Sequence, residues 1–333
     1  VSCTFNKEIY IPTTNYLVTN TGETGLGSLK YAILNANACP GTDTIKFALP
    51  LSNNGIQLTS VLPPLIENCL VDGTSQQGYS APQNQALYRP SVRLISKMPS
   101  STYYKYGFLL GRNKYKIIGI EFTGFEAAIS NELYGFNNTP YSYLTPPYYG
   151  NKGMLTQVYA CKFIGNTMGI YQSMYDTTKN KDKVVIGDGT IKNANFFIGN
   201  RASALRIAYS DTALVQGNYI GVEPLIDTVS SLYSGIFLNT CLNSKITNNY
   251  VCNTTINGIA TLSSGCLIQN NTIGLNPFNN NISGYAGNGI YANGNSLQNP
   301  CIIGDLNAKN GNRLYNQIKA VKSNFPILLI ANS

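Results

Sequence analysis

Apolar and polar residues alternate along most of this chain in runs of only four to six, and Asn or Gly closes each run. The phrase "VQGNYIG" (215–221) returns as "IQNNTIG" (268–274) and, more loosely, as "ITNNYVC" (246–252), with its apolar and Asn positions kept and the others free. Longer blocks keep their order too. "GIFLN" (235–239), "GIATL" (258–262) and "GIYAN" (289–293) echo one another, as do "IGDGTIKNANFFIGN" (186–200) and "IGDLNAKNGNRLYNQ" (303–317). A strand this short cannot cover its own apolar face. Stacking equivalent strands from successive units of roughly 20–30 residues, ~4.8 Å apart, buries them all in one core. The pattern therefore predicts an all-β solenoid, a parallel β-helix. Ile220, Ile246, Ile268 and Ile273 are its inward rungs. Asn218, Asn249 and Asn271 sit at corners, where Asn tolerates left-handed backbone and stacks its amide on the next coil.

One segment has a different period. In "GSLKYAILNANACPG" (27–41), Leu29, Ala32, Ile33 and Ala36 share one face of a helix. Ser28 is its N-cap and Pro40-Gly41 stops it, which gives a helix over about 28–38. An amphipathic helix ahead of a strand array is placed to cover the open end of a β-helix.

Composition narrows the chemistry. The chain has 333 residues, 43% of them hydrophobic and only 11% charged, with a net charge of +8 and no His or Trp. Its basic residues are dispersed. Lys179, Lys181 and Lys183 form the one short cluster, read as a solvated loop, so no nucleic-acid partner is expected. No apolar run approaches a membrane span. There are eight cysteines and no Cys-x-x-Cys, and without His the mixed zinc patterns are excluded. An even count fits structural disulfides outside the cell, with buried thiols as the alternative. Cys241 and Cys266 precede corresponding strands and are expected to bridge. A chain starting at Val1 without Met reads as a processed, secreted or cell-surface protein.

"VTNTGETGLGSLKYAILNANACPGTDTIKF" (18–47), "LTSVLPPLIENCLVDGTSQQGYS" (58–80) and "KYKIIGIEFTGF" (114–125), together with the "NYIG" and "IGD" phrases, resemble a large family of bacterial secreted proteins. These are right-handed parallel β-helices of pectin-lyase-like fold. The resemblance covers most of the chain. It implies a right-handed parallel β-helix over 18–333 with an N-terminal capping helix, preceded by an extension at 1–17. It implies no reaction, because members are mostly of unassigned activity.

Enzymes of that fold group carboxylates for Ca²⁺ with a base, or set several aspartates together, usually near a His. Here the fifteen carboxylates are scattered. Asp72, Asp188 and Asp305 read as turn residues. Glu121, Glu126 and Glu132 are the densest acidic group. No catalytic residue, metal or cofactor is assigned. "YGFNNTPYSYLTPPYYG" (134–150) is a long loop whose Tyr134, Phe136, Tyr141, Tyr143, Tyr148 and Tyr149 either fold back on the wall or contact a glycan or subunit. Two end segments are candidates for head-to-tail self-assembly: Ile9, Tyr10 and Ile11 in an extended "EIYIP", and Ile327, Leu328, Leu329 and Ile330 in the last strand. The favoured function is a non-catalytic extracellular structural or adhesive β-helix, possible as a filament. The alternatives are an enzyme acting on an acidic polysaccharide and a glycan-binding module.

Overall fold

Short alternating strands separated by tight polar corners bury their apolar residues only against copies of themselves, and the computed structural model shows that arrangement. It describes residues 3–5, 8–10 and 15–329, apart from 53–54, 84–86, 103–104, 112, 132–152, 174–181, 225–231, 283–286, 294–299, 305–310, 316–318 and 324–326. Three parallel sheets of eleven, nine and eight strands run the length of the chain, consistent with a β-helix. One coil takes a strand from each sheet in turn, as in Thr212–Gln216, Tyr219–Ile220 and Leu232–Asn239. The next coil is Lys245–Thr247, Tyr250–Val251 and Thr254–Leu262. Eleven strands at ~4.8 Å give a stack on the order of 50 Å long.

Register is kept from coil to coil. Ile186, Val215, Ile246, Ile268, Ile303 and Leu329 lie in one column of the eleven-stranded sheet. This places the two "IGD" phrases at equivalent positions of different coils. Ile220, Ile246, Ile268 and Ile273 are fully buried. On the nine-stranded sheet the inward column runs from Ile56 and Leu94 into stacked rings. Phe122 and Phe163 are 5.2 Å apart and Phe163 and Phe197 4.6 Å apart, and Ile220, Val251 and Ile273 continue the column. The recurring Gly of the "GI" phrases has a steric cause. A Cβ on Gly235 would lie 2.7 Å from the carbonyl oxygen of Gly258, and one on Gly258 would lie 2.7 Å from that of Gly289. The coils meet too closely there for any side chain.

The corner between the first two sheets is held by amides. The Nδ2 of Asn195 donates to Oδ1 of Asn218 at 2.9 Å, and Asn218 donates to Asn249 at 3.0 Å. Asn249 donates to Asn271 at 3.0 Å, and Asn271 to Asn312 at 2.9 Å. Each Nδ2 also donates to a strand carbonyl, and the backbone N–H of each of the first four donates to the next Oδ1. All five side chains are inaccessible to solvent. The expected left-handed backbone falls one residue earlier, at Gly217 (φ 67°), Asn248 (58°) and Asn270 (51°). The turn needs positive φ at the residue that reverses the chain, while the following Asn must keep extended geometry to aim its amide along the axis.

The helix forms at Leu29–Ala38, with Ser28 accepting from the Tyr31 N–H. Leu29, Ala32, Ile33 and Ala36 are buried, and the helix packs against the strands Asn15–Val18 and Thr42–Phe47 at the start of the eleven-stranded sheet. Asp72 and Asp188 hold turns, accepting from the N–H of Thr74 and Thr190. The Cys241–Cys266 bridge does not form. Both are buried thiols, as are Cys69, Cys161 and Cys301. Cys241 lies opposite Ser263, whose hydroxyl accepts its N–H at 2.8 Å, whereas the pairing of Lys245 with Leu267 sets Ser244 opposite Cys266. Coils pair here at an offset of 22 residues and the two thiols are 25 apart, so they stand three residues out of register.

Two outcomes are expected. Asn249→Ala removes the acceptor of the Asn218 N–H and Nδ2 and the amide donor of the Val215 carbonyl, and should lower stability by about 3 kcal/mol in urea unfolding. Asp43 points inward, with one carboxylate oxygen unpartnered, and burial and then nearby Glu67 raise its pKa to about 6. A raised folded pKa favours the protonated form. Its stabilising effect is full below the ordinary value of 3.8 and is lost as pH rises through about 6. Asp43→Asn should therefore raise the melting temperature at pH 7–8 and leave it nearly unchanged at pH 4.

Candidate functional site

Outward positions of adjacent coils also form columns, and on the nine-stranded sheet one column is charged. Arg93, Glu121 and Lys162 occupy successive rungs, followed by Phe196, Tyr219 and Tyr250. The local cause is a shared phrase. "IEFTG", "KFIGN" and "FFIGN" each put an inward Phe between an outward residue and the next corner, so Glu121, Lys162 and Phe196 must stack. The rings continue the ladder, with Phe196 and Tyr219 5.0 Å apart and Tyr219 and Tyr250 5.1 Å apart. Tyr88 and Phe278 cover them from outside the wall, at 5.7 Å from Phe196 and 5.1 Å from Tyr219.

Where the charged and aromatic stretches meet, a groove of about 660 Å³ opens, lined by Arg89, Arg93, Glu121, Lys162 and Glu223 with apolar Leu87, Ile164 and Ile198. Lys162 is nearly inaccessible. Its Nζ donates to the Tyr88 carbonyl at 3.0 Å and is hydrogen-bonded and ion-paired to Glu223 Oε1. The Tyr88 hydroxyl donates to the Ala160 carbonyl. This set ties two excursions from the coils, around Tyr88 and around Glu223, to the wall. Burial raises the pKa of both Glu121 and Glu223, against the opposing pull of Lys162. Glu121 is half-buried, whereas Arg89 and Arg93 are exposed.

A second surface lies on the eight-stranded sheet. Tyr171, Arg206, Phe237, Ala260, Tyr291 and Lys322 form one outward column. The Arg206 guanidinium is sandwiched 5.6 Å from the Tyr171 ring centre and 5.5 Å from that of Phe237. Lys322 Nζ lies 5.8 Å from the Tyr291 ring centre. None of the eight strands contains Asp or Glu. Among the described residues no carboxylate is ion-paired with Arg206.

The residues singled out by sequence are placed as follows. Glu121 lines the groove. Glu126 immediately precedes the strand Ala127–Ser130, its N–H donating to the Lys105 carbonyl, and does not line the groove. Glu132, Asp305 and the Tyr-rich loop, with Tyr134, Phe136, Tyr141, Tyr143, Tyr148 and Tyr149, lie outside the described residues, as do Ile11 and Ile330. Ile9 and Tyr10 belong to Glu8–Tyr10, which pairs antiparallel with Cys3–Phe5 of the same chain. Ile327, Leu328 and Leu329 pair in parallel with Cys301–Ile303. Sequence reading missed Lys162, Glu223, Arg89 and Arg93. For Lys162 a signal existed, in the alignment of "IEFTG" with "KFIGN". For Glu223 and Arg89 none did, because both enter from excursions.

No family model and no curated protein matches the chain. No described helix is long and apolar enough to cross a membrane, and among the described residues no group of three or more Cys, Asp or Glu could hold a metal ion.

Lys162→Met leaves Glu223 buried without a counter-charge and should cost about 3–5 kcal/mol, whereas Lys162→Met with Glu223→Leu should recover most of that loss. Chemical unfolding of the three proteins checks it.

Proposed function

We propose that the chain is a right-handed β-helix of pectin-lyase-like build, closed at its N-terminal end by the helix at Leu29–Ala38. In this reading it serves outside the cell as a non-catalytic structural or adhesive element. One observation carries the adhesive part. The outer face of the eight-stranded sheet joins aromatic rings to cations in a single column and holds no acidic residue in any strand. The guanidinium of Arg206 has its two faces taken by rings, which leaves its N–H edge for a planar anion. Tyr171, Phe237 and Tyr291 recur every second coil, about 9.6 Å apart, and offer ring surface along an extended sugar chain. The groove supports the non-catalytic part. Glu223 and Lys162 neutralise each other in a buried pair, so Glu121 is the carboxylate that faces the opening. A single carboxylate supplies neither the acid–base pair of a hydrolase nor a cation site.

The enzyme reading has one point in its favour: burial gives Glu121 a raised pKa beside Arg93 and Lys162, as in many acid–base sites. Incubation with polygalacturonate separates the two. The adhesive reading expects no release of unsaturated or reducing ends. It also expects salt-sensitive retention on the immobilised polymer, weakened about tenfold by Arg206→Gln. Turnover that Glu121→Gln abolishes would establish the enzyme instead.

Head-to-tail assembly has its own observation. The eleven-stranded sheet starts on Asn15–Val18 and ends on Ile327–Leu329, so its two edges are complementary parallel edges of one sheet. Sedimentation at increasing concentration should show growing oligomers, and a sedimentation coefficient that stays constant with concentration overturns this reading.

A further inference from the structure

Three buried thiols crowd the same end of the core: Cys241, Cys266 and Cys301. Two of them are in register. Leu267 pairs with Ile302 on adjacent parallel strands, and the Ile302 N–H donates to the Cys266 carbonyl at 2.8 Å, which sets Cys266 directly opposite Cys301. Both side chains point into the core and are 1% exposed. The two thiols influence each other, which raises the Cys266 pKa and lowers that of Cys301. Cys301 Sγ also lies 3.0 Å from the Ser263 carbonyl, and Cys266 Sγ 3.5 Å from Thr261 Oγ1. Adjacent strands are ~4.8 Å apart, inside the range of roughly 4.4–6.8 Å between the Cα atoms of bridged cysteines.

We infer that Cys266 and Cys301 are a covalent cross-linking site, which a disulfide closes to staple two consecutive coils near the C-terminal end of the stack. The inference stands apart from the adhesive reading, since it concerns the core and not the walls. The oxidant is a small-molecule or protein disulfide. The Cys301 thiolate attacks one of its sulfurs, forming a mixed disulfide and expelling one thiolate, which takes up the proton lost by Cys301. Cys266, after losing its proton, attacks the Cys301 sulfur and expels the second thiolate, which takes up that proton. Two protein thiols are oxidised, one disulfide is reduced to two thiols, and no other electrons move. The sulfur pair is shielded once the coils have closed, so exchange occurs while the last coils are still forming or during their fraying. Cys241 takes no part, because its own register faces Ser263 and its thiol donates to the Ile207 carbonyl at 3.4 Å.

The test is to refold the protein in a glutathione redox buffer, denature it in an alkylating agent and digest it without reduction. The expected result is one cross-linked species joining the peptides that contain Cys266 and Cys301, which disappears on reduction, while Cys241 is recovered alkylated. Cys241→Ser should leave the species intact, and Cys266→Ser or Cys301→Ser should remove it. The oxidised protein should melt about 5 °C higher than the reduced one. Recovery of Cys266 and Cys301 both alkylated from the oxidised sample, or Cys266 joined to another cysteine, overturns the inference. Mapping on the unmutated chain decides the matter even where a serine variant fails to fold.

Discussion

Coil-to-coil register is the constraint on which everything else in this molecule depends. A slip of one residue in any strand would turn its inward side chains outward. It would also break the amide column running through Asn195, Asn218, Asn249, Asn271 and Asn312. That column is costly to disturb because it is dry. Each amide has traded water for a neighbouring amide and a strand carbonyl, and a buried amide without those partners is strongly unfavourable. The ladder thus penalises misregistered stacking at the corner, where strand hydrogen bonds cannot. The column of glycines at 235, 258 and 289 adds a steric limit, since the backbone of the next coil occupies the place of a side chain.

Once register is set, the walls inherit it. Like positions of successive coils stand above one another, and the chemistry of a wall is the sequence of one column. The protein handles cations on its walls in two ways. Lys162 is buried, and a carboxylate and a carbonyl from separate excursions close over it. Arg206 stays exposed and is held between two rings, its charge uncompensated by any acid of its sheet. The first arrangement spends its charge on fastening. The second keeps its charge available to a partner. This difference separates a groove built round a buried ion pair from a wall with an exposed cation.

Much of the architecture was legible in the chain. The inward isoleucines, the corner asparagines and the helix with Ser28 at its start follow from local rules: a strand alternates with period two, a helix with period 3.6, and both signals lie within a few residues. The placement of positive φ at Gly217, Asn248 and Asn270 instead of the next residue is a finer matter of where the chain reverses. The groove was only half legible. Glu121 and Lys162 could be aligned through their shared phrase, but Arg89 and Glu223 arrive on excursions whose lengths vary from coil to coil.

The cysteines mark the boundary most sharply. From spacing alone, Cys241 and Cys266 look equivalent, and the eight cysteines invite pairing by repeat position. Only the stacked strands show that Cys241 meets Ser263, three residues short of Cys266, and that Cys266 meets Cys301 instead. By itself the sequence determined what each short segment is and which of its faces is apolar, because those properties are set by neighbours along the chain. The tertiary structure alone decided which side chains of distant coils touch, because register is the outcome of every corner and excursion between them.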